Sequence, residues 1–296
     1  MEMTNVGNLL ELRRIYSRGI TGKGITTDVL DIGIYAHPDF FIPQNKILYF
    51  QDFVRNRRGP FDDNGHGTHV SGIIASGGRF GDGSGIGVAP ESSIVMLKVL
   101  ERDGSGKIKN MIKGMEWICL NHKKYGIRIV NISVGMPVKN IENPDEDMLV
   151  KKVEEWWNAG LVGVVSAGND GPAPHTITSP GTSRKVITGG TGTEAGGEYS
   201  GQGPVLGSCV CKPDIIAPAT NILSCDNHGK SYKKRSGTSM ATPIVSGKIA
   251  LLLSYEAWLS NRDVKIRLMQ NAVDCGMAKS RQGGGLLNPE GELRIK

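Results

Sequence analysis

Four short apolar runs rich in Val and Ile constrain this chain most: "TTDVLDIGI" (26–34), "SSIVMLKVL" (92–100), "IRIVNISVG" (127–135) and "LVGVVSAGN" (161–169). Stretches with helical spacing separate and follow them: "GTHVSGIIAS" (67–76), "KNMIKGMEWICLNHKK" (109–124), "DEDMLVKKVEEWWNAG" (145–160), "SMATPIVSGKIALLLSYEAW" (239–258) and "NRDVKIRLMQNA" (261–272). Continuous apolar strands alternating with helices predict a parallel sheet covered on both faces. The expected fold class is therefore α/β: a three-layer arrangement with a mostly parallel central sheet and helices on both faces. Ligands bind beyond the carboxyl ends of the strands in such sheets. Asp31, Ser133–Gly135 and Ala167–Asn169 stand at three of those ends.

A chain of 296 residues can bury a full core, and no linker, repeat or low-complexity segment divides it. Its 41 glycines follow no period, which points to many tight loops or to backbone that approaches a ligand closely. The net charge of +6 is spread in small groups with no nucleic-acid motif around them, so nucleic acid is not an expected partner. The five cysteines, Cys119, Cys209, Cys211, Cys225 and Cys275, show no zinc-site spacing and read as free thiols of a reducing compartment. The N-terminus has no apolar signal core, and no apolar run reaches membrane-span length. With Met1 as the native start, the expectation is a cytoplasmic protein with no membrane partner.

In "SGTSMATP" (236–243) a serine, Ser239, stands among small residues where a helix begins. Exposed N–H groups and the helix dipole would meet an oxyanion there; an ordinary N-cap has the same look. A nucleophilic serine needs a base and a group to orient that base. His66 opens a helix in "DDNGHGTHVSG" (62–72), and Asp31 ends a buried strand in "VLDIGI". His66 and His69 lie three apart with Gly67 and Thr68 between them, unlike the spacing of four, with a Glu between, in the zinc-protease helix.

Asp31 in "VLDIGI", His66 in "NGHGTHVSG" and Ser239 in "GTSMATP", in that order, resemble the subtilisin-like serine proteases, the subtilases. The likeness runs from about Thr21 to about Asn288. "APESSIVMLKVL", "GMEW" and "KPDIIAPATNILS" resemble the intracellular, AprX-type branch. The resemblance implies a serine endopeptidase domain over 21–296 behind a short N-terminal extension, 1–20. It makes Asp31 the orienting acid, His66 the general base, Ser239 the nucleophile and Asn169 of "SAGNDG" the oxyanion donor. His69 is left a structural role, and Asp62 and Asp63 read as loop residues. The peptide would lie as a strand between Gly104, Ser105 and Gly106 on one side and Ser133, Val134 and Gly135 on the other. Ser133–Gly135 and Ser166–Gly168, Ala167 included, would wall the specificity pocket. Thr178 would form its floor and make it shallow, favouring medium apolar side chains over Phe or Tyr.

The implied partners are polypeptide or peptide substrates, with a proteinaceous inhibitor or the chain's own segment "EMTNVGNLLELRR" as candidates for restraint. General turnover and dedicated precursor processing both fit. The chemistry requires no cofactor. Asp39 of "HPDF" matches a calcium-ligand position of the family, and the loop 77–90, with Asp82, lies where further ligands would fall. That loop lacks the asparagine-bearing pattern of the strong site, so structural calcium is an open expectation. Two departures stand out: Ile32 where the family has Ser or Thr, and "APAT" (217–220) in place of "APG". The competing readings are a catalytically silent peptide-binding module and a metal-dependent hydrolase using His66 and His69.

Overall fold

The computed structural model describes residues 12–80, 85–138, 147–192, 197–288 and 291. A short helix, α1 (Arg13–Tyr16), precedes β1 (Thr26–Asp31), β2 (Ile47–Asp52), α2 (His66–Ala75) and β3 (Ser93–Lys98). Then come α3 (Ile108–Tyr125), β4 (Ile127–Ile132), α4 (Met148–Asn158), β5 (Val162–Ser166), β6 (Ile187–Gly190) and β7 (Ile215–Ile216). A hairpin of β8 (Ile222–Cys225) and β9 (Tyr232–Arg235) leads into α5 (Thr238–Tyr255), α6 (Asn261–Asn271) and α7 (Lys279–Gln282).

The sheet order is β2-β3-β1-β4-β5-β6-β7, and every neighbouring pair is parallel. Side chains alternate between two cores, as the period of a strand requires. Val29, Met96, Ile129 and Val164 pack in the core that holds α2 and α5. Leu30, Leu97, Val130 and Val165 pack in the core that holds α3 and α4. Both faces are covered, so all six residues of β1 are buried and its run reads as continuous rather than alternating. The expected three layers are the observed ones.

Five strands escaped the sequence reading: β2, β6 and β7 of the sheet, and β8 and β9 of the hairpin. β2, "ILYFQD", is an edge strand of mixed burial. β6 ends in two glycines, and β7 is two residues long. The helix expected over 145–160 is α4; its start is capped by Asp147, whose carboxylate accepts from the Leu149 and Val150 N–H groups. Residues 145 and 146 lie outside the described residues. α5 is buried almost all round, from Thr238 to Leu253. No helix among the described residues is long and apolar enough to cross a membrane.

The described part of the N-terminal extension packs on the body of the protein. Leu12 and Ile15 are fully buried. The Tyr16 hydroxyl donates to the carbonyls of Gly87 (2.8 Å) and Val88 (2.9 Å). Residues 2–11 of the segment considered for self-restraint lie outside the described residues.

Candidate active site

Because the strands are parallel, the carboxyl ends of β1, β4 and β5 open on one edge, and α2 and α5 begin there. Asp31, the last residue of β1, is fully buried. The Nδ1 of His66 lies 2.8 Å from its Oδ1 and 3.0 Å from its Oδ2. A carboxylate accepts only, so Nδ1 carries the proton and Nε2 keeps its lone pair. Burial pulls the imidazole down, while the charge and hydrogen bond of Asp31 push it up; the net places His66 above its ordinary 6.5.

Two glycines permit this approach of helix to strand. A Cβ on Gly67 would meet the Gly33 carbonyl oxygen at 2.0 Å, and one on Gly33 would meet that of Phe61 at 2.0 Å. Asp62 holds the start of α2. Its Oδ1 accepts from the N–H groups of Asn64 (2.9 Å) and Gly65 (2.7 Å), and its Oδ2 from the N–H (2.9 Å) and hydroxyl (2.5 Å) of Thr68. Asp62 is thus a buried loop residue that braces the turn before α2, whose N-cap is Gly65, and also accepts from the first-turn N–H of Thr68. Asp63 pairs with the buried Lys98 at 3.0 Å. His69 plays no part in the cleft: its Nε2 lies 3.0 Å and 2.9 Å from the carbonyl oxygens of Ile222 and Lys233. Burial lowers its pKa to about 3, so it is a neutral staple between α2 and the hairpin.

Ser239 stands in the first turn of α5, after Gly237 at φ +139°. Its hydroxyl donates to the Ser133 carbonyl (2.7 Å). A buried chain supports that segment: Ser246 Oγ donates to Asn131 Oδ1 (2.9 Å), and Asn131 Nδ2 donates to Ser133 Oγ (3.0 Å). Asn169 Oδ1 accepts from both the N–H and the hydroxyl of Thr238 at 3.0 Å. With its oxygen held there, the amide turns its NH₂ away from Thr238. The family motif named Asn169 but not Thr238, the residue that orients it.

His66, Ser239, Asn169, Ser133, Val134, Gly135, Ser166, Gly168, Thr178 and Gly104 line one open cleft of about 330 Å³. Ile32, Leu100, Pro137 and Asp170 line it too and were not foreseen. An apolar pocket of about 210 Å³ adjoins it, sharing Gly104, Val134 and Gly135 and adding Gly106, Ile108, Met111 and Leu149. Ser105 lines neither: its N–H and hydroxyl donate to Asp103, and its carbonyl accepts from Glu101. The turn satisfies Ser105 internally. Ala167 is fully buried and acts through its backbone, accepting from the Thr178 N–H. Thr178 wedges between the two walls. A Cβ on Gly135 would lie 2.1 Å from its hydroxyl oxygen, and one on Gly168 would lie 2.5 Å from its methyl.

The model of the subtilase family matches residues 22–291. The chain belongs to the subtilase family. This subtilase is 38% identical to serine protease AprX of Bacillus subtilis (strain 168), over 93% of this chain and 67% of that protein. It is 32% identical to subtilisin BL of Lederbergia lenta, over 94% of each. The crystal structure of a cold adapted subtilisin-like serine proteinase matches with a TM-score of 0.71 at 30% identity, over 90% of this chain and 88% of that one. The CspB protease of Clostridium perfringens matches with a TM-score of 0.84 over 98% and 97%; at 19% identity that likeness speaks for the fold alone. Membership and these relatives make the subtilase a serine protease.

Both departures from the family pattern have a local account in this subtilase. The backbone N–H of Ile32 donates to Asp31 Oδ1 at 2.7 Å, so the carboxylate gains a second donor without a side-chain hydroxyl. Ala219 is absent from the residues with positive φ, so its backbone does not require glycine. Asp39, the expected calcium ligand, is surrounded by donors. Its Oδ2 accepts from Ser76 Oγ (2.7 Å), the Tyr232 hydroxyl (2.5 Å) and Gly78 N–H (3.2 Å), and its Oδ1 from Arg79 N–H (3.1 Å). Calcium takes six to eight oxygens free to face it, and this set does not fit among the described residues. Asp82 and residues 81–84 lie outside them.

Proposed function

We propose that this serine protease is an endopeptidase that works through Asp31, His66 and Ser239 by way of an acyl-enzyme. The observation that carries the reading is the His66 Nδ1 contact with Asp31, which leaves Nε2 as a base in the cleft that also holds Ser239. The Ser239 proton turns from the Ser133 carbonyl to Nε2 as Oγ attacks the substrate carbonyl. The resulting oxyanion meets the Asn169 amide and the Ser239 N–H, which the helix start leaves without an intrahelical partner. His66 then hands its proton to the leaving amine, and water releases the acyl group by the same route in reverse. The substrate lies extended between Gly104–Gly106 and Ser133–Gly135, with an apolar side chain in the adjoining pocket.

Thr178, filling the space between Gly135 and Gly168, favours medium apolar side chains over Phe or Tyr before the scissile bond. A peptide-library profile tests this, and a dominant Phe or Tyr preference speaks against it. The five cysteines are unpaired, which supports operation in the cytosol, on general turnover or a dedicated precursor. Fluorophosphonate labelling with intact-mass readout tests the nucleophile. One adduct, lost in Ser239→Ala, is expected. A folded protein that takes no label would instead be the silent peptide-binding module.

A further inference from the structure

Lys46 is buried to 1% exposure, and its ammonium is held by backbone. Nζ donates to the carbonyl oxygens of Asp39 (3.0 Å) and Ala75 (2.8 Å). Ala75 is the last residue of α2, so its carbonyl is one that the helix itself cannot satisfy, at the negative end of the helix dipole. Asp39 lies in the short turn Pro38–Phe40. The backbone of Lys46 binds the same corner: its N–H donates to Phe40 O (2.8 Å), and its carbonyl accepts from Ile94 N–H (2.7 Å). Gly77 packs against the same corner: a Cβ there would lie 3.4 Å from Nζ and 3.3 Å from Ile42 O.

His37, Asp39 and Cys225 come together here, all buried, with ligand atoms within 4.8 Å of one another. Hydrogen bonds already occupy much of this trio, although the buried His37 Nε2 has no partner among the described residues. Four donors occupy the Asp39 carboxylate. His37 Nδ1 accepts from Asp39 N–H (3.3 Å). Burial pushes the Cys225 thiol up to about 12.

We propose that the Lys46 ammonium is the built-in cation of this corner, standing in the structural place that the family resemblance gave to calcium. The ammonium bridges the turn and the end of α2, while the Lys46 backbone carbonyl ties in β3; the ammonium charge lies near Asp39 without depending on an external ion. A divalent ion would be repelled by the ammonium and would have to strip Ser76 and Tyr232 from Asp39. The corner anchors the far end of the helix that begins with His66, so its loss propagates toward the cleft.

The full chain is melted after EDTA treatment and again with calcium or zinc chloride added. The expected Tm is the same in all three conditions. Lys46→Met lowers Tm by about 5–10 °C, Lys46→Arg keeps most of it by retaining the cation, and neither metal rescues Lys46→Met. The proposal is overturned if Lys46→Met melts with the wild type. It is equally overturned if the wild type loses stability to EDTA, regains it with calcium, and this response disappears in Asp39→Asn. If Lys46→Met does not fold, the arginine variant and the wild-type chelation series decide.

Discussion

His66 sits where burial and a buried carboxylate pull its proton in opposite directions, and Asp31 wins. A histidine raised above 6.5 must lose its ring proton before it can act as a base, so kcat/KM should climb with pH through a midpoint above about 6.5. The stability from the His66–Asp31 pair runs the other way: complete below 6.5 and lost as pH rises through the raised folded value. Asp31→Asn should therefore move the acidic limb of the pH–rate profile downward. It should also cost about 10⁴-fold in kcat, the loss known for the same change in a triad on another fold. An unmoved limb would show that Asp31 does not set the charge of His66. At Thr178, the side chain lies between two glycines with its hydroxyl buried and unpartnered among the described residues. Thr178→Gly should open the pocket and raise kcat/KM for Phe or Tyr before the scissile bond relative to Ala or Val, read by competition between matched peptides. An unchanged ratio would place the specificity elsewhere.

Two helices carry the proposed base and nucleophile, His66 and Ser239, and each is aimed by contacts at its first turn. In α5 the aim comes from Gly237 and from Thr238 on Asn169; in α2 it comes from Asp62. Losing a side-chain acceptor at a helix start costs about 0.5–2 kcal/mol. Asp62→Ala should lose that much in urea unfolding and should lower kcat more than it changes KM, because His66 loses its fixed bearing on Asp31. A stability loss with intact kcat would make Asp62 a brace and nothing more. The β8–β9 hairpin contributes through His69, which fastens α2 from the side while staying neutral. At the other end of the sheet, Lys265 of α6 donates to the carbonyls of Arg184 (2.8 Å), Lys185 (3.2 Å) and Val186 (2.8 Å) and pairs with Asp214 (3.0 Å). A lysine again closes a carbonyl cage, here docking a helix onto the segment before β6.

Across the whole molecule the sheet carries one plain cost. Asp28, in the middle of β1, is fully buried between Val95 and Val130, and neither oxygen has a partner among the described residues. Burial raises its pKa well above the ordinary 3.8. A carboxyl raised on folding contributes stability below 3.8 and loses it as pH rises through the folded value. Asp28→Val should therefore stabilise the fold by about 1–3 kcal/mol at neutral pH, with a gain that shrinks as pH falls. A loss of stability, measured by urea midpoint, would reveal a partner for Asp28.

The central strands were legible because a strand covered on both faces has to be apolar throughout, and "TTDVLDIGI" or "LVGVVSAGN" shows that directly. β2, β6 and β7 were not, because an edge position, paired glycines or two residues leave no such pattern. Asp31, His66, Asn169 and Ser239 could be singled out because each stands in a short local motif of glycines and small residues, and the structure brings Asp31 against His66 and places His66, Asn169 and Ser239 on one cleft. What aims and braces them was not. Thr238 meets Asn169 across 69 residues, and Lys46 meets Ala75 across 29. Ser105 and Ala167 were placed in the cleft by motif, yet the turn and the sheet had claimed their polar groups. Local composition determines which segments are buried and which residues have the chemistry to react. Which donor meets which acceptor across the fold is a property of packing in three dimensions, and it leaves no local trace in the chain.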